Sequence, residues 1–527
     1  MTVASPSGRQ DRNDRPVRSF ASYTPRWQRF QTQAGSTAGK NPTGKENAPT
    51  GGSNKSSSSS STVRSSEQKV VPYQRQYSHV YAHRLAALKD RCWRALNRLP
   101  EGGSGGVKSV DRIIELKEDQ LSAVVGTIVV ESASGADGEE HVYYNDNDGD
   151  DEDRRLHPDA ICRSGDQLFL EDESGRVAIR FVDDHRSPTN AKPRKSRTRH
   201  GYQYCTGVVV GVRGTVDDRG MMHVRDVADP ALDPPERVGP GSGGSPRLLL
   251  VSSLLCGDPG VSSMPRDLLV SYLQGHLCDP DAETVARVVL AGSGPGAADP
   301  AAGLRELDLW GLQVTRTAGV PLDILPSATD PTTRNWPQRP LHSSLLPHTL
   351  RVDHGKGADP MARTTPNPYE ASIGNRLVLG TDGLNVRDLQ KHVLSPPVGN
   401  TGGGNGTVDP PEAEPARGPE PLTELEALER TLRWGHVCPS APSSAAIGMV
   451  PSGDPMAMGR KSKTPSLYFC GNCEEGFATK LMKHDEDGGG EATTRLVCVP
   501  KFSETGEAVL VDLNTLEVEL LRFKADT

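Results

Sequence analysis

Two short motifs in this 527-residue chain carry residue types that do chemistry. Gly292-Ser-Gly294-Pro-Gly-Ala297 follows an apolar run and satisfies the letter of a dinucleotide fingerprint, whose glycines let backbone amides approach a pyrophosphate. That motif should open directly into a helix, but Ala-Asp-Pro-Ala-Ala-Gly follows, and no acidic residue closes a second buried strand at the distance a ribose needs. Cys470-Gly-Asn-Cys473 can be a redox pair or half of a zinc site. No second CxxC exists and Cys498 is the one nearby thiol, so the spacing favours a structural thiol pair. Asn145–Asp153 is mostly acidic, but with Gly149 at the glycine position of a calcium loop, the first ligand falls on Tyr144 and the closing Glu on Arg155. It reads as a solvated loop. Lys192–His200 is basic without interleaved aromatics, which suits phosphate contact, a nuclear import signal or a plain solvated loop. His342 and His436 have no convergent set of metal ligands and read as hydrogen-bonded structural histidines.

What must position any site is a series of five apolar runs, each stopping at a small residue or a turn: Pro246–Asp258, Arg287–Gly292, Pro321–Asp330, Arg376–Gly383 and Ser466–Asn472. Such runs predict strands buried on both faces, and ligands of layered α/β folds bind just beyond strand ends. Before them, Leu121–Val130, Gln167–Leu170, Val177–Phe181, Cys205–Val212 and Met222–Val227 predict a small barrel within 110–235. A helix precedes it within 67–100. Tyr73, Tyr77 and Tyr81, continued by Leu85, Leu88 and Leu96, form a stripe that docks on the domain after it; an aromatic ladder for bases is the lesser reading. Residues 1–66 are low-complexity and predict disorder, as does the Gly/Pro/Glu-rich insertion 396–421. Residues 236–245 form a Gly/Pro linker. Thr423 with Glu426 predicts a capped helix whose face is Leu425, Leu428 and Leu432, and Leu496–Phe523 predicts two or three strands ending the sheet of the domain 246–527.

Composition narrows the classes. Net charge is −8 and the pI about 6.0, so the chain as a whole offers no electrostatic grip for nucleic acid, and contact with DNA would be local. No apolar run approaches a membrane span. Met1–Phe20 has no apolar segment and reads as no signal peptide; it is rich in Arg and Ser, but Asp11 and Asp14 count against a transit peptide. Nine thinly spread cysteines fit reduced thiols in a soluble intracellular protein.

The five runs, in this order, resemble the layout of a calcineurin-like metallophosphoesterase, which holds two metals on Asp, His and Asn at the strand ends. Where that family has Ser-Asp-x-His, this chain has Ser252-Ser253-Leu254-Leu255; Gly-Asp becomes Gly292-Ser293, and Gly-Asn-His-Asp becomes Ser327-Ala328-Thr329-Asp330. The strand that should end in a ligand His gives Thr381-Asp382, and Gly-His-x-His becomes Gly471-Asn472-Cys473-Glu474. Two cations that clamp a phosphate ester need those ligands.

A barrel ahead of a disarmed phosphoesterase resembles the B subunits of eukaryotic replicative DNA polymerases, and most of all the small subunit of DNA polymerase delta. The resemblance rests on Tyr73-Gln-Arg75-Gln-Tyr77-Ser-His-Val-Tyr81-Ala-His-Arg84-Leu85, Leu156-His157-Pro158-Asp159 and Leu170-Glu171-Asp172-Glu173. It continues through Pro340-Leu341-His342, Asn367-Pro368-Tyr369, Leu379-Gly380-Thr381-Asp-Gly-Leu-Asn385-Val386, Thr431-Leu432-Arg433, His436, Pro439-Ser-Ala-Pro442 and Tyr468-Phe469-Cys470-Gly471-Asn472. It implies an α+β protein: an N-terminal OB-fold β-barrel followed by an inactive calcineurin-like phosphoesterase α/β sandwich. It further implies a non-catalytic nuclear accessory subunit in DNA replication and repair, with no catalytic, cofactor or metal residues. The implied partners are the C-terminal domain of the catalytic subunit, a third subunit linking it to the sliding clamp, and by extension polymerase zeta. Two alternatives stay open: an active metallophosphoesterase with unusual ligands, and the accessory subunit of another replicative polymerase.

Overall fold

The computed structural model describes residues 78–100, 106–131, 166–182, 203–236, 245–277, 279–296, 298–350, 360–395, 420–448, 453–458, 464–484 and 492–524, with the two-residue strand Thr24–Pro25. The acidic loop 145–153, the basic loop 192–200, Tyr73, Tyr77 and most of 396–421 lie outside these residues. Among the described residues, no helix is long and apolar enough to cross a membrane.

Five strands close the first domain: β1 (Leu121–Glu131), β2 (Gln167–Asp172), β3 (Gly175–Phe181), β4 (Val209–Val216) and β5 (Met221–Ala228). Their order is β1-β2-β3-β5-β4, and β4 pairs back onto β1, with β3 and β5 parallel and the other pairs antiparallel. This is the Greek-key closure of an OB fold, which leaves no open sheet edge in the barrel. The fourth strand differs from expectation, running Val209–Val216 rather than Cys205–Val212. Cys205 to Val208 instead form a turn, with the Val208 amide donating to the Cys205 carbonyl and Gly207 at φ +100°.

Helix α1 (Ser78–Arg98) docks through the leucines of the anticipated stripe, Leu85, Leu88 and Leu96, joined by Cys92, which pack on Ala123 and Val125 of β1, Val209 of β4 and Ala228 of β5. The seat requires Gly211, because a Cβ there would stand 2.5 Å from the Leu96 side chain. Each leucine so buried contributes about 2 kcal/mol.

The second domain has two six-stranded sheets packed face to face. The first joins β6 (Arg247–Val251), β7 (Val285–Ala291), β8 (Leu322–Leu325), β9 (Ala362–Thr364), β15 (Glu507–Asp512) and β16 (Val518–Arg522) in the order β9-β8-β7-β6-β15-β16. The second joins β10 (Tyr369–Ile373), β11 (Arg376–Thr381), β12 (Leu467–Cys473), β13 (Ala478–His484) and β14 (Ala492–Pro500) in the order β10-β11-β12-β14-β13, with Thr24–Pro25 paired outside β10. The last three strands therefore divide between the sheets: β14 joins one, while β15 and β16 extend the other past β6.

Alternation along the strands explains why they read as unbroken apolar runs. Leu248 and Leu250 meet Val378, Phe469 and Val497 between the sheets. Leu249 and Val251 face outward to helices α2 (Met264–Leu273) and α3 (Pro300–Leu312). On the opposite side α4 (Leu384–His392) and α5 (Glu424–Arg433) cover Tyr468, Cys470 and Leu496. The capping box expected at α5 is formed in both directions between Thr423 and Glu426. Gly380 is required by the packing here, since a Cβ would lie 2.0 Å from the Phe469 ring.

The barrel and sandwich meet around one guanidinium. Arg84 of α1, fully buried, donates from Nε to Asp454 Oδ2 at 2.7 Å, from Nη1 to the carbonyls of Gly207 and Pro439 at 3.0 and 2.7 Å, and from Nη2 to the Ala441 carbonyl at 2.6 Å. Beside it, Tyr204 stacks between Phe181 and Trp434 with centroids 5.6 and 6.1 Å away. The Cys438 amide donates to His436 Nδ1 at 3.1 Å, so His436 Nε2 carries the proton and donates to Asp454 Oδ2 at 2.9 Å. Burial, aided by the Arg84 charge, holds His436 down to about 4 and hence neutral. Burial alone would raise the Asp454 carboxyl, but the partnership with His436 and Arg84 keeps it well below the usual range.

Asp454→Ala strands the Arg84 charge in the interior and should cost about 3–5 kcal/mol in urea unfolding. The pH profile separates the histidine. The unfolded chain protonates His436 near 6.5, whereas the folded chain does so only near 4, so stability falls as pH drops through that window, by about 3 kcal/mol in full. His436→Gln should flatten that part of the profile, read as Tm against pH.

Candidate functional site

The five strand ends converge. After β6 come Ser252 and Ser253; after β7, Gly292 and Ser293; after β8, Ser327 and Asp330; at the end of β11, Thr381 followed by Asp382; and on the end of β12, Asn472. A Cβ on Gly292 would lie 2.9 Å from Asp382 Cβ, 3.0 Å from Asn472 Nδ2 and 3.0 Å from Ser327 Cβ, which locates the meeting point.

The backbone at these ends is strained in one shared way. Ser253, Leu255, Ser293 and Asn472 have φ of 54°, 46°, 55° and 53°, four of the seven non-glycine residues with positive φ among those described. Each costs about 1–3 kcal/mol, and such outliers gather where a fold once aimed, or still aims, side chains at a ligand. Leu255 is the most telling, because nothing in its side chain compensates for the left-handed region.

The side chains satisfy one another. Ser252 Oγ donates to the Pro500 carbonyl at 2.9 Å and accepts from the Asn472 amide at 2.9 Å. Ser253 Oγ meets Ser503 Oγ at 3.2 Å, and Ser293 Oγ donates to Ser327 Oγ at 3.2 Å. Asp330 Oδ2 accepts from the Ser327 amide at 2.7 Å. Asp382 Oδ1 accepts from Asn367 Nδ2 at 2.8 Å and from the Leu384 amide at 3.2 Å, while Asn472 Nδ2 donates to the Asp382 carbonyl at 2.9 Å. Burial raises Asp330 to about 6 and raises the fully buried Asp382 as well, and among the described residues none makes a hydrogen bond to Asp330 Oδ1 or Asp382 Oδ2.

Two adjacent dications need a bridging carboxylate and imidazoles. Here serine hydroxyls take the first positions, no histidine stands at any of the five ends, and both carboxyls are pushed toward their neutral form. The donor set does not fit the metal pair of an active phosphoesterase.

The other candidates resolve separately. The glycines after β7 serve packing: Cβ atoms on Gly294 and Gly303 would stand 2.7 Å from Leu307 Cδ2 and 2.6 Å from the Cys256 carbonyl oxygen. The helix does follow, starting at Pro300, but Asp299 Oδ1 already accepts from the Ala301 and Ala302 amides at 3.1 and 3.0 Å, occupying the donors a pyrophosphate would use. His342 is exposed and accepts from the Ser344 amide at 3.2 Å, capping a single turn. The CxxC is not merely a pair. Cys470 Sγ lies 3.5 Å from Cys473 Sγ and 3.8 Å from Cys498 Sγ, all three buried, and Cys498 is drawn down to about 6 by the thiols of Cys470 and Cys473. Sequence reasoning named Cys498 but could not seat it, because only the register of β14 on β12 places it opposite Cys470.

The fold and these strand ends define a class: an OB barrel joined to a two-sheet sandwich whose strand ends close on one another through a hydrogen-bond network. Residues 76–227 match the DNA polymerase delta subunit OB-fold domain, and residues 250–479 match the family of the B subunits of DNA polymerases alpha and epsilon. The chain is 30% identical over 387 residues to the DNA polymerase delta small subunit of Arabidopsis thaliana, covering 70% of this chain and 73% of that protein. It is 28% identical over 482 residues to DNA polymerase delta subunit 2 of Drosophila melanogaster, covering 86% and 94%. This chain belongs to the family of DNA polymerase delta small subunits. Among solved structures, a purple acid phosphatase of yellow lupin aligns at 10% identity over 60% of this chain and 57% of its own, with a TM-score of 0.25, a likeness too slight to bear weight.

Asp330→Asn tests the network. A carboxyl raised to about 6 adds stability at low pH that is lost as pH rises from about 4 to 6, where the folded form must carry a buried charge. The amide keeps an acceptor for Ser327 and removes the charge, so the variant should be more stable than the native chain above pH 7, by about 2 kcal/mol in urea unfolding.

Proposed function

We propose that the chain is the non-catalytic accessory (B) subunit of DNA polymerase delta. It acts in the nucleus as the scaffold that holds the C-terminal domain of the catalytic subunit and a third, clamp-linked subunit during replication and repair synthesis. One observation carries this reading: the sandwich keeps its sheets, its strand ends and even their strained backbone, while the positions where the resemblance would place cation ligands include Ser253, Leu255, Ser293, Thr329 and Asn472, with the Ser253 and Ser293 hydroxyls tied into hydrogen bonds. A hydrolase under selection for turnover could not have exchanged them; a surface under selection for shape could. The family membership supports the same role.

A second reading has its own observation. Asp330 and Asp382 are carboxyls at the right strand ends, and an esterase with unusual ligands would use them. The full chain co-expressed with the polymerase delta catalytic subunit should co-purify with it and leave bis(p-nitrophenyl) phosphate at the background rate with added manganese. Manganese-dependent turnover that disappears in Asp330→Asn and Asp382→Asn would overturn the scaffold reading. Preferential capture of the large chain of a different replicative polymerase would reassign the subunit.

A further inference from the structure

We propose that Cys470, Cys473 and Cys498 form a buried thiolate site for one thiophilic d10 cation, zinc or copper(I), which clips β12 to β14 beneath helix α5.

The first argument is geometric. Residues three apart on a regular strand point to opposite faces, so two strand cysteines in a CxxC should not meet. Here the ladder of β12 on β14 shifts register between Cys470 and Cys473, with Asn472 at φ 53°, and this irregularity turns Cys473 back to the side of Cys470. Cys498 arrives from the neighbouring strand as the direct partner of Cys470. All three sulfurs lie within 4.8 Å of one another. Thiolates at about 2.3 Å from a tetrahedral zinc stand about 3.8 Å apart, and the two short separations are 3.5 and 3.8 Å, so a cation enters without moving a strand.

The second argument is chemical. Three thiolates and no imidazole make a soft donor set, which selects zinc or copper(I) over magnesium, calcium or manganese. Binding breaks the S–H bonds and releases the thiol protons to solvent, so it weakens at low pH. The charge that results has compensation at hand, because Arg387 donates to the Asn472 carbonyl at 3.0 Å beside Cys473. The surround is already oriented: Glu424, buried at the start of α5, accepts from the Glu474 and Glu475 amides at 3.0 and 3.1 Å, immediately after Cys473. Copper(I) is content with three sulfurs. Zinc takes a fourth donor, and Glu424, whose charge is felt at Cys473 while its oxygens hold the Glu474 and Glu475 amides, is the carboxylate named for that place. Either way the position is closed to substrate, so the role is structural and independent of the scaffold reading.

The test uses the full chain expressed in medium replete in zinc and copper, purified under reducing conditions and assayed by elemental mass spectrometry. About one zinc or copper per chain is expected, falling to about a tenth or less in Cys498→Ser and staying at the native level in Cys92→Ser, a buried thiol on α1 outside the cluster. With zinc, Glu424→Gln should lower affinity about tenfold or more; with copper(I) it should not. A native chain free of both metals that also refuses them on titration overturns the proposal. So does metal retained in Cys498→Ser, or a Cys470–Cys473 disulfide in the reduced preparation. The native metal content decides the matter even where a variant fails to fold.

Discussion

One buried cation sets the geometry of this molecule. Arg84 has no water to return to, and its donors are spent on Asp454 and on carbonyls of the barrel turn and of the segment after α5. A buried ion pair adds little net stability over a well-packed apolar contact, but it is strongly selective, since any other docking leaves the guanidinium uncompensated. The neutral His436 completes the arrangement by donating to the carboxylate without adding a second positive charge. Around this bolt the Phe181, Tyr204 and Trp434 rings supply apolar area, and Arg430 reaches the Gln203 carbonyl at 2.9 Å. Barrel and sandwich thus form one body with a fixed relative orientation, which is what a platform for other proteins requires.

The strand ends hold a strained backbone in place through hydrogen bonds between neighbouring ends. A left-handed leucine would be expelled from an ordinary loop, yet Leu255 persists because its amide is held by the Ser293 carbonyl and its neighbours are locked to Gly292 and Gly294. Hydroxyl and amide pairs at these ends offset part of that strain.

Much of the architecture was legible in the residues because burial on both faces writes itself as uninterrupted apolar runs, and all five appear as strands. The Thr423–Glu426 box was equally legible, since capping is local chemistry. What escaped depended on partners distant in sequence. β10 and β13 carry half-exposed faces and exist by pairing with β11 and β14. The helix α3 was discounted because the glycine motif does not run straight into it, although Asp299-Pro300 is a start signal in its own right. The fourth barrel strand slipped by four residues because Cys205 to Val208 are apolar enough to imitate it while the chain is turning. At the candidate site the exchanged ligands could be read from sequence, but neither the facing of Asp330 and Asp382 nor the third sulfur could, since both depend on how strands stand side by side.

The division of the last strands has a consequence for how the chain is made. β14 runs parallel beside β12 in one sheet, whereas β15 crosses to the other and flanks β6, a strand some 250 residues earlier, with β16 paired outside it. Until β15 arrives, β6 offers an open row of amides and carbonyls, and its sheet lacks its full width. The barrel, by contrast, closes on contacts made within residues 78–228. On the ribosome the barrel can be finished while the sandwich still waits, its unpaired rim exposed to the nascent-chain machinery until Glu507–Asp512 has emerged.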